Sequence, residues 1–158
     1  MNELEIVLFL DVDGVLNTWS RTTRDDGSHI GLERDFVRRL RQIVEKYSLK
    51  IVFCSTHSWH LEWQKAFIKL LQAEGVEWDN IPIVDRIPRS YIFGNQLSKT
   101  HEIDFWNKHF QPKHFVVLED TLCGMPEMEP YWIKCDHDHG FTQERAKALV
   151  AVLDSFNK

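Results

Sequence analysis

The sequence predicts an α/β domain of three layers, a mainly parallel five-stranded sheet between helices, and three observations carry that prediction. Short apolar runs without helical period recur at residues 6–10, 50–56, 81–84, 114–120 and 131–135. Several of them stop at acids or hydroxyl residues. Between the runs lie segments whose apolar residues recur at helical spacing. Runs of this kind suit strands buried on both faces, which is how a parallel sheet covered by helices is built.

Ile6-Val7-Leu8-Phe9-Leu10 leads straight into Asp11, Asp13 and Gly14. The carboxylates therefore stand at the carboxyl end of the strand, where open α/β sheets bind ligands. Two acids two residues apart on an extended chain point the same way, and Gly14 lets the backbone turn sharply and expose its peptide groups. The pattern suits a hard cation. Residues 18–32 are polar and few in apolar anchors, which predicts a loop or flap. Phe36, Val37, Leu40, Ile43, Val44 and Tyr47 then mark one face of a helix, with Arg34, Arg38, Arg39, Arg41 and Lys46 expected to turn outward into solvent.

The second run ends in Ser55 and Thr56. A further helical face comprises Trp63, Phe67, Leu70 and Leu71, and its tryptophan is read as packing. Pro82 places the 81–84 strand at a sheet edge. The following polar run brings Arg86 and Arg89, two candidates for holding an anionic substrate. Lys99 opens a helix whose apolar face is Ile103, Trp106 and Phe110, and the fourth strand ends in Glu119-Asp120. Thr142 caps a closing helix. Asp136-His137-Asp138-His139-Gly140 has the composition of a metal tract, but four adjacent residues on a loop do not readily all converge on one ion and no partner cluster lies elsewhere in the sequence, so no second metal is expected there.

A length of 158 residues fits a single domain, 1–158, and 43% hydrophobic content is ample for a core. The net charge of −5 argues against nucleic-acid binding by bulk charge and leaves only a local patch for that purpose. No apolar run approaches the roughly 18 residues of a membrane span, and the acidic opening Met1-Asn2-Glu3-Leu4-Glu5 lacks a basic leader. Cys54, Cys123 and Cys135 are odd in number and lack CxxC spacing, which predicts reduced thiols and a cytoplasmic protein. Oligomeric state is not set by any of these features.

Asp11-Val12-Asp13-Gly14-Val15-Leu16 resembles the DxDGxL/V first motif of the haloacid dehalogenase-like (HAD) phosphohydrolases. That resemblance implies a Rossmann-like sandwich with strand order 5-4-1-2-3 and, from the short spacing between motifs, no large cap domain. It further implies Asp11 as nucleophile and Asp13 as general acid/base. Ser55, with Thr56 as its neighbour, matches the second-motif hydroxyl. Lys99, with Lys108 or Lys113 as substitutes, matches the third-motif cation. Glu119 and Asp120 match the acidic pair that completes a Mg²⁺ site with Asp11 and Asp13, Asp120 being favoured for direct contact. An acidic, oxygen-only ligand set suits Mg²⁺ better than zinc. Closer still is the similarity to short capless HAD domains of RNA repair proteins, carried by the strand-Ser-Thr-x-x-Trp stretch and Gly140-Phe141-Thr142.

The expected function is Mg²⁺-dependent hydrolysis of a phosphomonoester through an aspartyl-phosphate. An open, capless pocket suits phosphorylated nucleic-acid ends or another macromolecule. Two rivals are a HAD-fold binding module without turnover and a nucleotide-sugar transferase using Asp11-Val12-Asp13 to hold Mn²⁺. The second usually needs a longer chain.

Overall fold

The computed structural model describes residues 5–12, 14–18, 32–54, 63–87, 99–120 and 126–157. Five strands, β1 (Ile6–Leu10), β2 (Lys50–Phe53), β3 (Ile83–Arg86), β4 (His114–Glu119) and β5 (Trp132–Lys134), form one sheet in the order β3-β2-β1-β4-β5. Every pairing is parallel. Among the described residues four α-helices accompany them: α1 (Arg34–Tyr47), α2 (Trp63–Ala73), α3 (Lys99–Phe110) and α4 (Gln143–Ser155). The strand order is the expected one.

The uninterrupted apolar run of β1 has its reason in this position. Val7, Leu8, Phe9 and Leu10 are all fully buried, so both faces of the strand need hydrocarbon. Burial of each such side chain contributes about 1.5–3 kcal/mol. Leu8 and Leu10 pack with Val37, Leu40 and Val44 of α1, Phe67 and Leu71 of α2, and Leu149 and Leu153 of α4. Val7 and Phe9 face Ile103 and Trp106 of α3 and Met128 of a short 3-10 helix, Pro126–Tyr131. The Phe9 and Trp106 rings meet edge to face, 5.4 Å between centroids. Three helices thus cover one face and α3 the other. No cap domain is present among the described residues.

The chain runs outward from β1 through β2 to β3, then returns across the sheet through α3 to lay β4 on the far side of β1. That reversal opens a crevice at the carboxyl ends of β1 and β4. Leu10 pairs with Leu118, and the Asp11 N–H donates to the Leu118 carbonyl at 3.0 Å, so Asp11 is clamped beside the end of β4.

Some local expectations are corrected. The third strand begins at Ile83, two residues later than its apolar run, and takes in Asp85 and Arg86. As an edge strand it tolerates polar side chains: Asp85 accepts from Trp106 Nε1 at 2.8 Å. The arginines of α1 turn outward as expected, and three of them also hold neighbouring loops. Arg34 donates to the Glu74 carbonyl at 2.6 Å, Arg39 to the Phe141 carbonyl at 2.6 Å, and Arg41 to the Glu77 carbonyl. Phe110, expected in the buried face of α3, is 47% exposed and lies against Trp106, centroids 4.5 Å apart. No described helix is long and apolar enough to cross a membrane.

Candidate active site

Asp11 follows the last residue of β1 and is only 5% exposed. It owes that burial to the core strand that delivers it. Glu119 is the last residue of β4 and 1% exposed. Its main chain is tied down, because its carbonyl accepts from Cys135 N at 3.0 Å and from Trp132 Nε1 at 3.1 Å. Its side chain is tied as well. Oε2 lies 2.5 Å from Lys99 Nζ, and Oε1 accepts from the Asp120 N–H at 3.0 Å. Asp120, half-buried, completes the group: Asp11, Glu119 and Asp120 each offer a carboxylate oxygen within 4.8 Å of the other two.

Lys99 is the first residue of α3, and its ammonium also stands 3.6 Å from Asp11 Oδ1. Burial works against its charge, but the Asp11 and Glu119 carboxylates outweigh that effect and hold it above the ordinary lysine range. Glu119 moves in the opposite sense for a carboxylic acid. Burial, and then the charge of Asp11, raise it above the ordinary carboxylate range, while the Lys99 ammonium pulls it back down. Three carboxylates around one ammonium leave negative charge uncompensated in a poorly solvated crevice, a setting that favours a cation. The donors are hard oxygens, the set that Mg²⁺ takes. Asp11, Glu119 and Asp120 are the described side chains that could hold it.

Gly14 lies beside this cluster at φ +81°, and its N–H donates to Asn17 Oδ1 at 2.9 Å. Asn17 had no role assigned from sequence, although a polar residue just after Val15-Leu16 in a turn was its signal. Here it is 2% exposed. Cys54, following β2, is buried next to the site, and its N–H donates to the Leu10 carbonyl at 3.0 Å. Burial raises its thiol well above the ordinary value.

Of the residues singled out by sequence, Asp11, Gly14, Lys99, Glu119 and Asp120 meet at one place. Lys108 does not, since it pairs with Asp104 at 2.8 Å on an exposed turn of α3. Lys113 lies 3.5 Å from Glu5 at the opposite end of the sheet. Of these three lysines, Lys99 is the one that stands beside Asp11 and Glu119. Arg86 ends β3 on the same rim, paired in register with Phe53, two strand spacings or roughly 9–10 Å from β1. Asp13, Ser55, Thr56 and Arg89 lie outside the described residues, as do residues 19–31 of the 18–32 loop.

The 136–140 tract is a tight turn closed by a bridge between Asp136 and Gly140, with the Gly140 N–H donating to the Asp136 carbonyl at 2.7 Å. Three of its four candidate residues, Asp136, His137 and Asp138, bring ligand atoms within 4.8 Å of one another. All three are exposed, and Asp136 Oδ1 already accepts the Asp138 N–H at 2.8 Å. Phe141 N donates to the Val15 carbonyl at 2.8 Å, so this turn braces the loop that follows β1.

No curated protein matches the chain. A family does: HAD domains in Swiss Army Knife RNA repair proteins, matched over residues 7–146, a span that takes in β1 through the first turn of α4 and with them Asp11, Lys99, Glu119 and Asp120. Strand order, rim and sequence agree, and the chain belongs to that family of the HAD hydrolase superfamily.

Proposed function

We propose that this chain is a Mg²⁺-dependent phosphomonoesterase working through an aspartyl-phosphate on Asp11. One observation supports this reading above the others: a buried carboxylate at the switch point of the sheet shares an ammonium with Glu119 and stands within 4.8 Å of Asp120. Phosphoryl transfer asks for this kind of site, with an in-line nucleophile and fixed positive charge near the phosphoryl oxygens.

Asp11 attacks phosphorus, forming the carboxylate O–P bond as the ester P–O bond breaks. Asp13, by family resemblance, protonates the leaving alkoxide and then takes a proton from water as water displaces the Asp11 carboxylate and phosphate departs. Lys99 holds the nucleophile in place and offsets the charge that builds on the phosphoryl group. Bound Mg²⁺ would add the charge that lets a carboxylate approach a phosphate dianion. Asp11, Glu119 and Asp120 are the described side chains to hold it.

The family's description names RNA repair proteins, which supports phosphorylated nucleic-acid ends as the substrate. Steady phosphate release from p-nitrophenyl phosphate with Mg²⁺, abolished in Asp11→Asn, tests the activity. Comparing 3′- and 5′-phosphorylated oligonucleotides with phosphopeptides and sugar phosphates tests the substrate. A wild-type protein that releases no phosphate from any of these is a binding module.

A further inference from the structure

We propose that Gly14 and Asn17 form a seat that aims the Asp120 carboxylate into the acidic cluster, which makes both of them positioning residues for a divalent cation. The inference rests on the metal-binding half of the reading above and does not depend on turnover. At Gly14 a Cβ would lie 2.4 Å from Asp120 Oδ2, 3.0 Å from its Cγ and 3.2 Å from its Cβ. Real side chains do not approach so closely. The Asp120 carboxylate therefore occupies the volume that any side chain at position 14 would need.

The turn beneath it is fixed from several directions. Asn17 Oδ1 accepts the Gly14 N–H at 2.9 Å and so holds the left-handed φ of +81°. Val15 N and Leu16 N both donate to the Val12 carbonyl, at 3.2 and 2.8 Å. From the other side, the Asp120 N–H is anchored to Glu119 Oε1 at 3.0 Å. Held by its backbone on one side and by the bare face of Gly14 on the other, the carboxylate stays within 4.8 Å of the Asp11 and Glu119 oxygens. Carboxylates that bind metals are usually oriented by hydrogen-bonded neighbours. Here steric contact with glycine does the same.

The test uses Mn²⁺ as a paramagnetic substitute for Mg²⁺, titrated into the full chain and followed by the spectrum of free Mn²⁺, with Tm measured in EDTA alongside. Gly14→Ala should weaken Mn²⁺ binding about 10–100-fold, the usual cost of losing an orienting partner. In an Asp120→Ala background the same change should matter less than about twofold, because coupled residues do not add. The Tm loss caused by Gly14→Ala should likewise shrink in that background. Asn17→Ala, which creates no clash, should weaken binding about tenfold while the protein remains folded.

Folded Gly14→Ala protein that binds Mn²⁺ like wild type overturns the seat, as does an equal loss with and without Asp120. If Gly14→Ala fails to fold, unaltered binding by Asn17→Ala overturns it. Wild-type protein that takes up no Mn²⁺ overturns it too. Binding in the expected pattern without phosphate release upholds the seat and removes only the phosphatase reading.

Discussion

Lys99 Nζ lies 2.5 Å from Glu119 Oε2, joining the first residue of α3 to the last residue of β4 across the mouth of the crevice. Lys99→Met removes that link and leaves two buried carboxylates facing each other. Stability should fall by about 3–5 kcal/mol, the range for breaking a buried pair from one side. Phosphatase turnover should fall about 10²–10³-fold, the usual loss of one preorganised electrostatic partner. Urea unfolding and steady-state kinetics give the two numbers. Lys99→Arg should not rescue turnover, because a planar fork does not reproduce a compact ammonium.

Mg²⁺ should stabilise the fold. At a hundredfold excess over its dissociation constant a ligand adds about 2.7 kcal/mol, and for a chain of this length that is roughly 5–10 °C in Tm. Differential scanning fluorimetry with Mg²⁺ against EDTA measures the shift. Asp120→Ala should abolish most of it, and a full shift in that variant would assign the metal elsewhere.

Burial pushes the Cys135 thiol up to about 12. A thiol with a raised folded value stays protonated in the native state while the unfolded chain ionises near its ordinary value. Its contribution is intact below about pH 9 and is lost progressively as pH rises toward 12. By about pH 10.5 the cost should reach about 2 kcal/mol relative to pH 8. Urea midpoints of wild type and Cys135→Ala at both pH values isolate it, because only the wild type should show this extra loss.

Gly140 takes φ +69°, and a Cβ there would meet Phe36 Cε2 at 2.4 Å. Gly140→Ala should destabilise through both the backbone, about 1–2 kcal/mol, and the contact. Phe36→Ala in the same chain should recover the contact part and leave the backbone part. Equal Gly140→Ala costs in both backgrounds, read from chemical denaturation, would remove Phe36 from the explanation.

The ends of β1 and β4 were legible because a strand covered on both faces must be apolar until the sheet ends, so the first acids mark the rim. Lys99 is favoured in sequence over Lys108 and Lys113 because it opens a helix, but a helix start alone does not show that its ammonium reaches the crevice. Asp85 and Arg86 read as loop because edge strands escape the apolar rule. The α1 arginines turn outward as their spacing predicts, but their partners Glu74, Glu77 and Phe141 are distant in sequence, and a long guanidinium side chain finds carbonyls that no local pattern announces. Asn17 was missed because its task exists only once Gly14 turns left-handed.

β4 reaches its place only by crossing back over β1, so the acidic cluster is drawn from distant parts of the chain. Asp11 and Glu119 stand about a hundred residues apart along the chain yet meet side by side. A chain that stopped before α3 would hold β1, α1 and β2 but would give Asp11 neither an acidic neighbour nor an ammonium. On the proposed reading, cation capture and phosphoryl transfer both wait on completion of the central sheet.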